Sequence, residues 1–232
     1  CGGRLRHIAK ARHMRFTASD CQFLEERQNY QVFSEVPESD RLVYRSIRGR
    51  LMELVTNASR EYGGDTPMET YASFYHPSGR AAKELWACRF PSAAKHRGYA
   101  LQGALIVGPN GAELCFCWGS WTCETKVADK RALFDSILSD SLRNVRSLPE
   151  DALEAVSQAV PDEWTYAPRS REDVGGGTFD DFKSWIDHAQ SEDGAGARIG
   201  YKLSPEQLER LGDDTFAEFM QCAQVFRPVY YH

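Results

Sequence analysis

Residues 71–76 read Tyr-Ala-Ser-Phe-Tyr-His, 84–90 Glu-Leu-Trp-Ala-Cys-Arg-Phe, 98–107 Gly-Tyr-Ala-Leu-Gln-Gly-Ala-Leu-Ile-Val, and 112–118 Ala-Glu-Leu-Cys-Phe-Cys-Trp. Each run is short and rich in aromatic and apolar residues. The breaks between them carry turn chemistry: His-Pro-Ser-Gly-Arg at 76–80, Pro-Ser-Ala-Ala-Lys-His-Arg-Gly at 91–98 and Pro-Asn-Gly at 109–111. Runs of this kind, separated by Pro, Gly and Asn, are the pattern of neighbouring strands. They predict one curved sheet, mixed or antiparallel, over about residues 68–120. The third run is almost wholly apolar, as a central strand is, and Pro-Asn-Gly predicts a hairpin into the fourth. Alternation places Tyr71, Ser73 and Tyr75 on one face of the first strand, with Ala72 and Phe74 on the other. In the second strand Leu85, Ala87 and Arg89 oppose Trp86, Cys88 and Phe90. A charged Arg89 among apolar neighbours is either at an edge or reaching for an acidic or phosphate partner.

Outward from the sheet the period changes from two to 3.6. Val43, Ile47, Leu51, Leu54, Val55 and Ala58 make one apolar helical stripe over about 40–62, with Ser39 or Asp40 to cap its start and Gly63-Gly64 to end it. Arg41, Arg45, Arg48 and Arg50 lie around its polar sides, where a solvated helix surface is expected. Helices follow the sheet: 129–146 on an apolar stripe, one starting near Pro149, one over 179–186 with Thr178 and Asp181 matching a capping box, and one opened by Ser204-Pro205-Glu206-Gln207. The expected class is α+β, a curved sheet flanked by helices. Residues 1–20 read as a flexible basic arm, 21–165 as a sheet–helix recognition domain, and 166–232 as a loop and C-terminal helices packed on it.

The chain has 232 residues, 42% hydrophobic and 26% charged, within reach of one large domain. Its longest apolar run falls far short of the ~20 residues of a membrane helix. Residues 1–20 carry charges throughout and lack the apolar segment of a secretory signal. Seven cysteines, an odd number without framework spacing, fit a reducing cytoplasm. Net charge is −5, but it is unevenly divided: residues 1–105 hold 16 Lys/Arg against 11 Asp/Glu, and residues 106–232 hold 12 against 22. Balances of +5 and −10 accord with a basic face on an acidic body, or with chance segregation on solvated surfaces.

Catalytic motifs are missing. Cys115 and Cys117, two apart on a strand, face the same way, but no CxxC knuckle or nearby His accompanies them. Gly175-Gly176-Gly177 lacks the Lys-Ser/Thr of a phosphate loop. Asp180-Asp181 is explained by a helix start. His76 and His96 sit in loops with no acid and nucleophile to complete a site. No enzymatic activity, cofactor or metal is expected. The remaining chemistry lies in Tyr75, Trp86, Tyr99, Phe116, Trp118 and Trp121, which are either core or stacking platforms, flanked by basic loops at 76–83 and 91–97. Aromatic rings beside positive loops are the layout of a base-flipping reader: the rings stack the extruded base while the loops hold the backbone.

The same residues resemble a family. Tyr-Ala-Ser-Phe-Tyr-His-Pro-Ser-Gly-Arg at 71–80, Leu-Trp-Ala-Cys-Arg-Phe at 85–90, Arg-Gly-Tyr-Ala-Leu-Gln-Gly-Ala-Leu-Ile-Val at 97–107 and Glu-Leu-Cys-Phe-Cys-Trp-Gly at 113–119 are similar to the N-terminal domain of McrB-like modified-cytosine restriction proteins. The resemblance covers roughly residues 70–119 and implies a DNA-targeting module of a restriction or defence system, ahead of an AAA+ motor in the same or a partner chain. It implies that Trp86 and Tyr99 line a flipped-base pocket and that the loop at Gly79 and Arg80 enters the duplex. Tyr75, Ser78, Lys83, Arg89, Lys95, Arg97 and Trp118 complete the expected DNA-binding set. The sequence departs from the family at Gly103, where an apolar pocket residue is expected, and it offers no counterpart for the later pocket aromatic. A protein-interaction or regulatory domain of such a system, without DNA contact, is the alternative.

Overall fold

The computed structural model describes residues 15–27, 32–62, 67–76, 79, 81–94, 97, 101–118, 132, 136, 143, 147–162, 164–167, 181–189, 198–215, 217–219 and 224. In chain order the elements are α1 (Ala18–Glu26), α2 (Glu38–Tyr62), β1 (Met68–Ala72), β2 (Leu85–Pro91), β3 (Leu101–Gly108), β4 (Gly111–Trp118), α3 (Glu150–Ala159), β5 (Thr165–Ala167), α4 (Phe182–Ala189), β6 (Arg198–Leu203) and α5 (Pro205–Leu211). The fold is α+β with an open, curved sheet, as the patterning predicts.

The sheet is antiparallel throughout, with strand order β1-β2-β3-β4-β6-β5. The first four strands form a meander in sequence order, closed between β3 and β4 by a two-residue turn at Pro109-Asn110 with Gly111 at φ 111°. The other two strands are a finding that the aromatic runs do not predict. β6 pairs with β4 from Ala112↔Leu203 to Cys117↔Arg198, and β5 pairs outside it. The sheet therefore extends past residue 120, and a boundary at 165/166 would cut through β5. Alternation in β6 is present: Ile199 and Leu203 are buried while Lys202 is exposed. Gly200, on the other parity, is a glycine for a steric reason, because a Cβ there would fall on the Leu114 carbonyl oxygen.

One face of the sheet is covered by α2, whose Tyr44, Ile47, Leu51, Leu54, Val55 and Ala58 are completely buried. Burial of each such aliphatic side chain contributes about 1.5–3 kcal/mol. The stripe is the predicted one, with Tyr44 fully buried and Val43 only partly so. The helix starts at Glu38 behind Pro37 rather than at a Ser39 or Asp40 cap, and the Asp40 carboxylate instead meets Arg27 Nε at 2.7 Å. α2 packs on β1 and β2, while α1 and α5 pack over β3 and β4. Ser204 caps α5 as its sequence predicts, with Gln207 N donating to Ser204 Oγ at 3.2 Å and Ser204 N to Gln207 Oε1 at 2.7 Å. α4 begins one turn later than expected, with Asp181 as its cap, accepting from Ser184 N at 2.7 Å. The stripe at 129–146 falls almost wholly outside the described residues.

Two arginines tie the helix to the sheet. Arg48 donates from Nε to the Ser73 carbonyl at 2.9 Å and from Nη2 to the Ala72 carbonyl at 3.4 Å. Arg89, only 1% exposed, donates from Nη1 to the Ala58 carbonyl at 3.2 Å. Carbonyls near a helix C-terminus carry partial negative charge, so the contact offsets the cost of burying the cation. Arg89→Ala leaves a cavity and strips that carbonyl of a partner. It is expected to destabilise the fold by about 2–4 kcal/mol, measured as a shift of the urea midpoint without a change in slope.

Candidate functional site: an aromatic patch opposite the covering helix

Strand register decides which side chains share a surface. Thr70, Ala72, Ala87, Arg89, Gly103 and Leu105 lie on the α2 face of the sheet, because Arg89 pairs with Thr70 and Gly103 and points to Ala58 of the helix. Tyr71, Trp86, Cys88, Gln102, Ala104 and Ile106 lie on the opposite face.

On that opposite face Tyr71 and Trp86 form a half-buried ring pair, centroids 5.4 Å apart and tilted by 41°. Arg97 lies over both, its guanidinium carbon 4.0 Å from the Tyr71 centroid and 5.4 Å from that of Trp86. These are cation–π distances. The Arg97 main chain is held by buried Gln102, whose Nε2 donates to the Arg97 carbonyl at 2.7 Å. Phe74 extends the patch: it stands edge-on to Tyr71 at 6.4 Å and is 53% exposed. A guanidinium, that of Arg48, lies over it at 5.5 Å.

Phe74 reaches this position because β1 ends at Ala72 and the chain bends. Ser73 continues the pairing by other means, its N donating to the Trp86 carbonyl at 2.7 Å while Trp86 N donates to Ser73 Oγ at 2.9 Å. Simple alternation fails beyond Ala72, so Phe74 joins Tyr71 and Tyr75 turns the other way. Tyr75 lies with Phe33 at 4.9 Å and Tyr44 at 6.1 Å, on the α2 side, and its hydroxyl accepts from Arg45 Nε at 3.4 Å.

The expected site residues are thus divided. Trp86 and Arg97 come together. Lys83 is exposed on the segment entering β2, and Gly79 is exposed at φ 80°, its N donating to the His76 carbonyl at 3.3 Å. Arg89 is corrected from a surface cation to a buried one, since its strand parity aims it under α2. Gly103 is corrected likewise: it pairs with Arg89 and Phe116 on the α2 face and does not adjoin Trp86, whose partner on β3 is Ile106. Tyr75 belongs to the α2 cluster. Trp118 ends β4 opposite Leu101. Ser78, Arg80, Lys95 and Tyr99 lie outside the described residues. Sequence reasoning misses Tyr71, Phe74 and Gln102 as site residues, because their place beside Trp86 depends on register and on the bend after Ala72.

Arginines of α2 are mostly engaged within the chain. Arg50 forms a two-pronged pair with Asp20 at 2.7 and 2.9 Å, Arg41 donates to the Val36 and Ser34 carbonyls, and Arg45 meets Glu38 at 3.2 Å. What the patch offers chemically is a set of tilted aromatic rings with guanidinium groups lying over them. It suits stacking of a planar group and contact with an anion next to it. If Trp86 belongs to a surface rather than the core, Trp86→Ala is expected to cost about 1–2 kcal/mol, against about 3–5 kcal/mol for fully buried Trp185→Ala. Thermal melts of the two variants make the comparison.

No family model matches this chain, and no curated protein matches its sequence.

Proposed function

We propose that the chain is a DNA-binding targeting module that stacks an extruded base, in line with its resemblance to modified-cytosine readers. The observation that carries this reading is the Tyr71–Trp86 pair, half-buried on the sheet face away from α2 with Arg97 over both rings. Stacking one base on such rings contributes about 1–3 kcal/mol, and extruding it costs a few. Phosphate contacts must supply the net affinity. With most α2 arginines, Arg45 among them, turned to internal carbonyls, hydroxyls and carboxylates, Arg97 and exposed Lys83 are the cations placed for that role among the described residues. An AAA+ motor, in the same or a partner chain, is the proposed recipient of the targeting signal.

The internal engagement of those arginines also favours a second reading. A face with few cations turned outward and an exposed Phe74 fits a protein-interaction domain of a defence system without direct DNA contact.

Duplex mobility-shift titrations with unmodified and modified-cytosine probes separate the two. DNA reading through this patch predicts that Trp86→Ala and Tyr71→Ala each weaken binding by roughly 5- to 100-fold, one stacked base's worth. It also predicts a shallow salt dependence: two or three phosphate contacts lose roughly 10- to 40-fold in affinity between 50 and 200 mM salt. Absence of binding to every probe at low salt, with a folded protein, would exclude the first reading.

A further inference from the structure

Away from the aromatic patch, the same sheet face carries sulfur. Cys88 on β2 and Cys115 and Cys117 on β4 all lie on it. Cys115 and Cys117, separated by one residue, project side by side while Phe116 between them is buried on the α2 face. Each thiol shifts the other, Cys115 upward and Cys117 downward. Opposite Cys117 on β6 stands Arg198, which is held by Glu113 of β4 at 3.2 Å.

These contacts divide the two sulfurs by role. Cys117 has Cys115 beside it on the same face and stands opposite the Arg198 cation, which together hold its thiol below the ordinary range against the opposing effects of burial and Glu113. Cys115 keeps its proton: the neighbouring Cys117 and burial both push its thiol up. Exposure divides them in the same sense, since Cys117 is partly accessible and Cys115 is buried. The other described cysteines are poor competitors. Burial pushes the Cys88 thiol up, and burial with Asp20 beside it pushes Cys21 up to about 11. Metal binding does not explain the set, because among the described residues no group of three or more His, Cys, Asp or Glu is placed to hold an ion.

We propose that Cys117 and Cys115 are a dithiol oxidation site, Cys117 attacking a hydroperoxide and Cys115 resolving the product to a disulfide within β4. In the first step Cys117 thiolate attacks one peroxide oxygen. The O–O bond breaks, Cys117 becomes a sulfenic acid, and the leaving oxygen departs as water or an alcohol after taking a proton. In the second, Cys115 sulfur attacks Cys117 sulfur, the S–O bond breaks, and the hydroxyl leaves with the Cys115 proton as water. The two thiols lose two electrons and two protons in all, and the peroxide is reduced. Strand residues two apart have α-carbons about 6.5 Å from each other, near the upper limit for a disulfide. The bond therefore pulls on β4 and is readily reversed by a thiol reductant.

The test uses the full chain carrying Cys123→Ser, so that the tryptic peptide 98–126 contains only these two cysteines. Addition of one equivalent of hydrogen peroxide, then alkylation and peptide mass analysis, is expected to give that peptide lighter by two hydrogen atoms and unalkylated. Dithiothreitol should return it to the doubly alkylated form. With Cys115→Ser added, dimedone should label Cys117; with Cys117→Ser added, Cys115 should remain a thiol. Limiting iodoacetamide on the unsubstituted native chain covers the case in which a variant fails to fold. Cys117 should then be modified before Cys21, Cys88 and Cys115, with a rate that plateaus at lower pH than that of an unstructured cysteine peptide. Preferential alkylation of any of those three in place of Cys117 would overturn the proposal. So would peroxide oxidation that leaves Cys117 fully alkylatable.

Discussion

Arg89 sits where β2 passes beneath the last turn of α2, and its guanidinium donates to the Ala58 carbonyl in a layer that is otherwise largely apolar. A cation is tolerated there only in orientations that give its N–H groups acceptors, so the helix and strand are held at one relative position. Because side chains alternate along a strand, that one inward guanidinium also fixes the parity of its neighbours. Ala87 and Leu85 face the helix, while Cys88 and Trp86 face away. A slip of a single residue would exchange the two sets, burying the indole under α2 and lifting Arg89 off its carbonyl. The aromatic patch and the thiol pair therefore both depend on a contact made on the other side of the sheet.

The arginines of α2 show how a charge count differs from a charge surface. In sequence they make the first half of the chain basic and predict a solvated helix flank. In the fold they act mainly as connectors: Arg48 holds the end of β1, Arg50 holds α1 through Asp20, and Arg41 folds back on the turn before its own helix. Guanidinium groups lend themselves to this because they offer several donors in one plane and need not leave solvent entirely. Among the described residues, fewer of these guanidinium groups are left for a partner than the composition implies.

Features set by a few consecutive residues are legible in the sequence. The apolar stripe of α2, the Pro109-Asn110 turn and the Ser204 cap each follow from local periodicity or turn chemistry. Trp86 and Arg97 are also legible as candidate site residues, since an indole and a cation near a turn-rich break are locally distinctive. Pairings between distant segments are not legible. Tyr71 joins Trp86, and Gly103 faces away from it, through registers that the loop at 91–98 does not specify. β6 is hidden because its pairing is with β4, more than eighty residues earlier, and the reason for its Gly200 lies there too. Arg89 is open to two readings in sequence, and its partner is a helix carbonyl, which no side-chain motif announces.

The late arrival of β6 bears on how the chain is made. β1 to β4 follow one another in sequence order and close through local turns, so they can assemble while the remainder is still emerging from the ribosome. During that interval β4 is an outer strand, presenting the unpaired backbone of Leu114, Cys115, Phe116 and Cys117 with Glu113 as the charge beside them. Such an edge invites pairing with another nascent copy. Gly200 lets the natural partner approach β4 closely enough to occupy that edge, so the same glycine that fits the finished sheet is what closes its exposed backbone.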